Sequence, residues 1–312
     1  MVTLELRGNN RRENAQRLRT PTGAERPSGR AQKVRDTQPR SFRIFPQTDL
    51  HARQWLTLED EYRGDISPHQ SVETDNRFEH EIWTALSGLT MRVYGEEKAP
   101  EILGKLREHW QNFTNVDNKD DIPPEQRMIT HAYRVGKLAY QWSIRAGFEP
   151  KVADRIALGA FVHDVGKGQV KNPNADSPEE KYKYRGPLTS RSALTDDEYK
   201  LIGEHSNDGY NILKDSGFDE EIAAVAKNHH APLTPDADIS TYALIAMLAD
   251  GSDVRTHDRT YKLAEPRIAL AQDDRVEKQL ARLEIKLGTD AFTRSYYHWV
   301  RAAEPQHSLA AA

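Results

Sequence analysis

The chain has 312 residues, a net charge of −4, and 29% charged against 37% hydrophobic side chains. That balance suits a soluble protein with an apolar core and gives no global electrostatic signal for nucleic acid or membrane. Cysteine is absent, so disulfides and thiolate metal sites are excluded, and any metal must be held by histidine, carboxylate or water.

No apolar run approaches the roughly 20 residues of a membrane helix. The opening stretch MVTLELRGNNRRENAQRLR lacks the apolar centre of a signal peptide, so no membrane partner and a cytoplasmic location are expected. Residues 1–40 are basic and poor in large apolar side chains, with Arg11, Arg12, Arg17 and Arg19 among their charges. A disordered, solvated tail is the expectation, and a docking arm for an acidic partner or nucleic acid is the alternative.

Residues 41–115 read as an irregular and then helical N-terminal region. Ile82, Leu86 and Leu89 recur at helical spacing, as do Ile102, Leu106 and Trp110, with a break at YGEEKAP between them. The polar connector NVDNKDDIPPEQ precedes a central domain over 116–265, in which nearly every segment reads as helix. Helical periodicity runs from His131 to Ile144, Val152 to Val162, Asp196 to Leu213, Asp219 to Asn228 and Ser240 to Leu248. Asp219 and Glu220 suit a helix start, and Thr195 to Glu198 resembles a capping box. Residues 266–312 add two amphipathic helices, the second from near Thr289, and the aromatics of the terminal helices read as core. No segment alternates cleanly as a strand, so the fold class is all-α; the extra helices could pack on the core or form a homodimer.

The middle section holds His131, His163, His205, His229 and His230, with two carboxylates, Asp164 and Asp250, each at the end of an apolar helix. A charge so placed is costly without a partner, and a shared metal supplies one. The order is H, HD, H, HH, D, each on a different predicted helix. Singly, each histidine reads as core or surface; jointly they read as a metal site. His51, His69, His80, His109, His257, His298 and His307 fall outside this order and are assigned no role.

Five blocks in this order carry a resemblance: HAYRVGKLAYQWSIRAG, FVHDVGKG, LTDDEYKLIGEHSNDGYNIL, VAKNHHAP and LADGSDVRTHDRTYKLA. Together they resemble an HD domain, a helical bundle, and are similar to the HD-GYP phosphodiesterase branch, over about Arg127 to Ala264. The resemblance implies a binuclear centre in which Asp164 bridges two divalent ions. His163 belongs to the pair at its heart, His131 and Asp250 complete one ion, and His205, His229 and His230 complete the other. Iron or manganese is expected first, with zinc, cobalt, nickel or magnesium as further candidates. The implied reaction is attack on phosphorus by a water activated between the ions. Asp164, Lys167 and Asp253 are the implied catalytic residues: Lys167 contacts phosphate, and Asp253 orients a ligand or the nucleophile.

The chain departs from that branch in three places. After His229 and His230 it reads HHAPLTPDADIST, without the glutamate, the glycines or the GYP tripeptide of the loop that helps shape a cyclic di-GMP pocket. Arg127 stands where some relatives carry a glutamate for a third ion; it either faces a phosphate or is an ordinary exposed arginine. The longer connection after HDVGKG carries Lys181, Lys183, Arg185 and Arg191 with Tyr182 and Tyr184, a substrate lid with phosphate contacts at Lys183 and Arg185, or a solvated loop. The expected activity is hydrolysis of a cyclic dinucleotide or other small nucleotide. A mixed-valent di-iron oxygenase and a non-catalytic nucleotide-sensing domain are the rivals.

Overall fold

The computed structural model describes residues 72–115, 127–170, 196–234, 237–257 and 267–302. The basic tail, the Thr195 end of the capping box and the Lys183/Arg185 loop lie outside these residues, as do His51, His69 and His307. The chain divides into two units, Met1–Arg40 and Ser41–Ala312, and all described residues belong to the second.

Every regular element among the described residues is helical: α1 (Val72–Thr114), α2 (Met128–Arg145), α3 (Pro150–Val162), a 3-10 turn (Val165–Gln169), α4 (Asp196–Gly203), α5 (His205–Ser216), α6 (Glu220–Asn228), α7 (Thr241–Thr256), a second 3-10 turn (Arg267–Gln272), α8 (Asp274–Leu287) and α9 (Ala291–Ala302). Side chains cap helix starts among the described residues. Asp219 accepts from the Ile222 amide, Ser240 from Ala243, and Asp273 from Arg275 and Val276; each cap contributes about 1 kcal/mol. α1 breaks inside YGEEKAP, where Gly95 adopts φ 78° and Pro100 follows, a backbone region open mainly to glycine.

α2 is buried all round and separates two apolar clusters. On one side Ile82, Leu86, Leu106 and Phe113 of α1 pack against Tyr133 of α2, Phe161 of α3 and Leu213 of α5. On the other, Trp142 of α2 meets α7 and the C-terminal helices. Its ring stacks edge-on with Phe292, Tyr296 and Trp299 at 6.3, 5.2 and 5.1 Å, so the aromatics of α9 are core, as expected. Two readings need correction. The helix expected from Asp196 to Leu213 breaks at Glu204 into α4 and α5, which frees the Ile202 carbonyl to accept from the His205 ring. Asp250 does not end its helix: α7 runs on to Thr256, because the carboxylates of Asp250 and Asp253 meet cationic or imidazole partners from α2.

Candidate metal centre

The sequence-expected ligands converge from five places: α2, the end of α3, the start of α5, the end of α6 and the middle of α7. His131, His163, Asp164, His205 and His229 are all at most 1% exposed. Asp164 stands between two histidine groups. Its Oδ2 lies 3.2 Å from His163 Nε2 and 3.6 Å from His131 Nε2. Its Oδ1 lies 3.2 Å from His205 Nε2 and 3.4 Å from His229 Nε2. Each group, Asp164 with His131 and His163, and Asp164 with His205, His229 and His230, offers donor atoms within 4.8 Å of one another. Asp250 joins the first group, with Oδ1 3.1 Å from His131 Nε2 and 3.9 Å from His163 Nε2. His230 is exposed as a residue, but its ring packs 4.0 Å from that of His229 and 5.2 Å from that of His205.

The direction of the buried rings follows from the chain's own hydrogen bonds. His163 Nδ1 donates to the Ala160 carbonyl and His229 Nδ1 to the Ala226 carbonyl, each at 2.7 Å; His205 Nδ1 donates to the Ile202 carbonyl. A carbonyl can only accept, so each Nδ1 carries the proton and each Nε2 presents a lone pair to the centre. All three carbonyls lie three residues back, at helix ends whose last C=O groups have no partner within the helix. The same bond therefore caps the helix and aims the ligand. His131 differs: its Nδ1 donates to Asp253 Oδ2 at 2.7 Å.

Electrostatics suit a cation. Burial alone would raise the Asp164 carboxyl; His163, Lys167 and His131 more than offset this and hold it well below the usual range. Asp250 is held low against its burial by His131 and His163. Desolvation pushes His229 down to about 4, against the pull of the neighbouring Asp164 carboxylate. His230 is exposed as a residue, yet its ring lies against His229, and desolvation there, and then His229 itself, push it down to about 3. Both imidazoles are therefore neutral near pH 7, the form that binds metal. Two buried atoms, Asp164 Oδ1 and His163 Nε2, have no hydrogen-bond partner. The donor set and these two atoms fit divalent ions.

Around this core, Lys167 sits in the 3-10 turn and donates to Asp164 Oδ2 at 2.6 Å. Arg127 is buried, 2% exposed, which corrects the alternative of an ordinary exposed arginine. Asp253 is fully buried and touches His131 on the side away from Asp164. Sequence reasoning missed two of its partners, Arg134 and His257. The available signal was spacing, Arg134 one turn past His131 and His257 one turn past Asp253. His80 and His298 are exposed. His109 lines a cavity of about 420 Å³ with Gln169, Glu204, Asp208 and Asp215; those carboxylates make it a poor phosphate pocket.

Residues 128–254 match the family model of the HD domain. Searches of curated proteins and of solved structures each return no match.

Proposed function

We propose that the HD domain of this chain is the centre of a metal-dependent phosphohydrolase, a phosphodiesterase acting on a nucleotide, with a cyclic dinucleotide as the first substrate to test. One divalent ion would be held by His131, His163, Asp164 and Asp250, the other by Asp164, His205, His229 and His230. The observation that carries this reading is the position of Asp164, buried between two histidine groups with one oxygen turned to each. A buried polar atom without a partner costs about 1–3 kcal/mol, and cations would remove that cost at Asp164 Oδ1 and His163 Nε2. Imidazole and carboxylate donors suit iron or manganese, with zinc, cobalt, nickel or magnesium as further candidates.

Two such ions would supply an activated water and offset charge growing on the phosphoryl oxygens. The chain's own residues do the rest. Asp164 stays ionised and spans the two groups. Lys167, with 15% of its side chain exposed, adds a positive charge at the rim, where an anionic substrate arrives. His230 gives the second group an edge open to solvent. Arg127, Lys183 and Arg185 are proposed as further phosphate contacts, and the basic segment 1–40 as an arm for an acidic partner.

Metal analysis of anaerobically purified protein, followed by a nucleotide hydrolysis panel with each ion, tests the reading. Two ions per chain and hydrolysis of at least one nucleotide are expected. Oxygen consumption by the iron-loaded chain without hydrolysis would replace it with the di-iron oxygenase. Full metal occupancy without turnover of any nucleotide would leave a binding module.

A further inference from the structure

Asp253 is a buried carboxylate gripped from three sides. Arg134 Nε lies 2.6 Å from Oδ1 and Arg134 Nη2 3.1 Å from Oδ2. His131 Nδ1 lies 2.7 Å from Oδ2, and His257 Nδ1 lies 2.9 Å from Oδ1. The guanidinium neutralises a charge that would otherwise be costly to bury. The geometry also fixes protons. A carboxylate held ionised can only accept, so His131 carries its proton on Nδ1 and turns a bare Nε2 toward Asp164 and Asp250. Any rotation of the Asp253 carboxylate would swing that ring.

Within this set His131, Arg134 and Asp253 have side chains 1%, 6% and 0% exposed, whereas that of His257 is 33% exposed. His257 is the C-cap of α7, and its amide is tied to the Asp253 carbonyl at 3.1 Å. Its Nδ1 also lies 3.3 Å from Thr256 Oγ1 and 3.4 Å from the Asp253 carbonyl. It stands beyond the segment that matches the HD model, which ends at 254.

We propose, resting on the two-ion reading above, that His257 is a positioning residue: by donating to Asp253 Oδ1 it locks the carboxylate that aims His131 at the centre. It touches no ion and no substrate. Its effect falls on the ion held by His131, His163, Asp164 and Asp250, and leaves the other to its own ligands. Outer partners of metal-bound histidines typically tune affinity by about 10–100-fold, and a partner one step further out belongs at the low end.

The test is calorimetric titration of Mn²⁺ into the chelator-stripped full chain, as wild type, His257→Ala and His257→Asn, with thermal unfolding of each stripped form. The asparagine amide nitrogen can occupy the position of Nδ1 and donate the same bond. His257→Ala is expected to weaken one of two binding steps by about 10-fold and leave the other unchanged. His257→Asn is expected to restore wild-type affinity, with stripped unfolding temperatures unchanged throughout. Unchanged binding in His257→Ala would overturn the proposal, as would an asparagine variant as weak as alanine, because ring packing would then be the cause. A wild-type chain that takes up neither Mn²⁺ nor, anaerobically, Fe²⁺, nor Zn²⁺, Co²⁺, Ni²⁺ or Mg²⁺, under conditions where the fold is intact would overturn the two-ion reading itself, and this proposal with it.

Discussion

On one side of the centre, His205 and His229 donate to carbonyls three residues back on their own chain; on the other, His131 donates to a carboxylate 122 residues away. The first half needs only a helix end with a histidine on it. Its orientation is settled when the local turn forms. The second half also holds one such ring, His163, but His131 is aimed only when α2 and α7 are docked, so its geometry reports on tertiary packing. A carboxylate partner also makes an imidazole more electron-rich than a carbonyl does, so the two halves should differ in ion affinity even with similar donor sets.

Asp164 belongs to both halves, so replacing it is the most severe way to break this contrast. Asp164→Ala should remove both ions and lower turnover by more than about 10³-fold, read as metal content and hydrolysis rate on a chain still helical by circular dichroism. An ion retained on either side with turnover intact would mean that the halves do not share this carboxylate.

Gly166 probes the carbonyl-held half through backbone contact. A Cβ there would meet the His205 carbonyl oxygen at 2.0 Å and the Gly209 amide nitrogen at 2.4 Å, and neither backbone can yield cheaply. Gly166→Ala should cost about 3 kcal/mol in urea unfolding and displace His205 while sparing the Asp253–His131 bond. A variant as stable as wild type would show that the turn has slack.

The smallest effect concerns Asp219, which caps the helix leading to His229. Its carboxyl accepts from the Tyr94 hydroxyl at 2.8 Å and from Arg155 at 3.0 Å. Burial raises this group, but Tyr94, the Ile222 amide and Arg155 outweigh burial and leave it below the ordinary value. A depressed carboxyl adds stability above its unfolded pKa of about 3.9, and that contribution is lost as pH falls through the folded value. Asp219→Ala should therefore cost about 1 kcal/mol near pH 7, with the gap to wild type narrowing below about pH 4. A gap independent of pH would assign the loss to packing instead.

What the sequence makes legible follows the same division. The five histidines, Asp164 and Asp250 announce themselves because each is tied to a helix pattern and the order is read along the chain. Asp219 and Ser240 as helix starts, and the break near Gly95, are local signals of the same kind. Arg134 and His257 were not legible, because their meaning lies in a carboxylate shared across two helices, and i,i+3 or i,i+4 spacing alone occurs on any helix. The split at Glu204 was missed because apolar periodicity carries on across it. The run of α7 past Asp250 was missed because a mid-helix carboxylate looks like a terminus until its partners are known.

The ring-to-carbonyl bonds carry one last consequence. In many small metal domains the ligands are scattered until the ion gathers them, and much of the binding energy goes into ordering the chain. Here three of the rings are held by carbonyls three residues back along the chain, so little rotational freedom is left for an ion to remove. Capture then costs little conformational entropy, and a chain stripped of metal should keep its shape and reload without refolding.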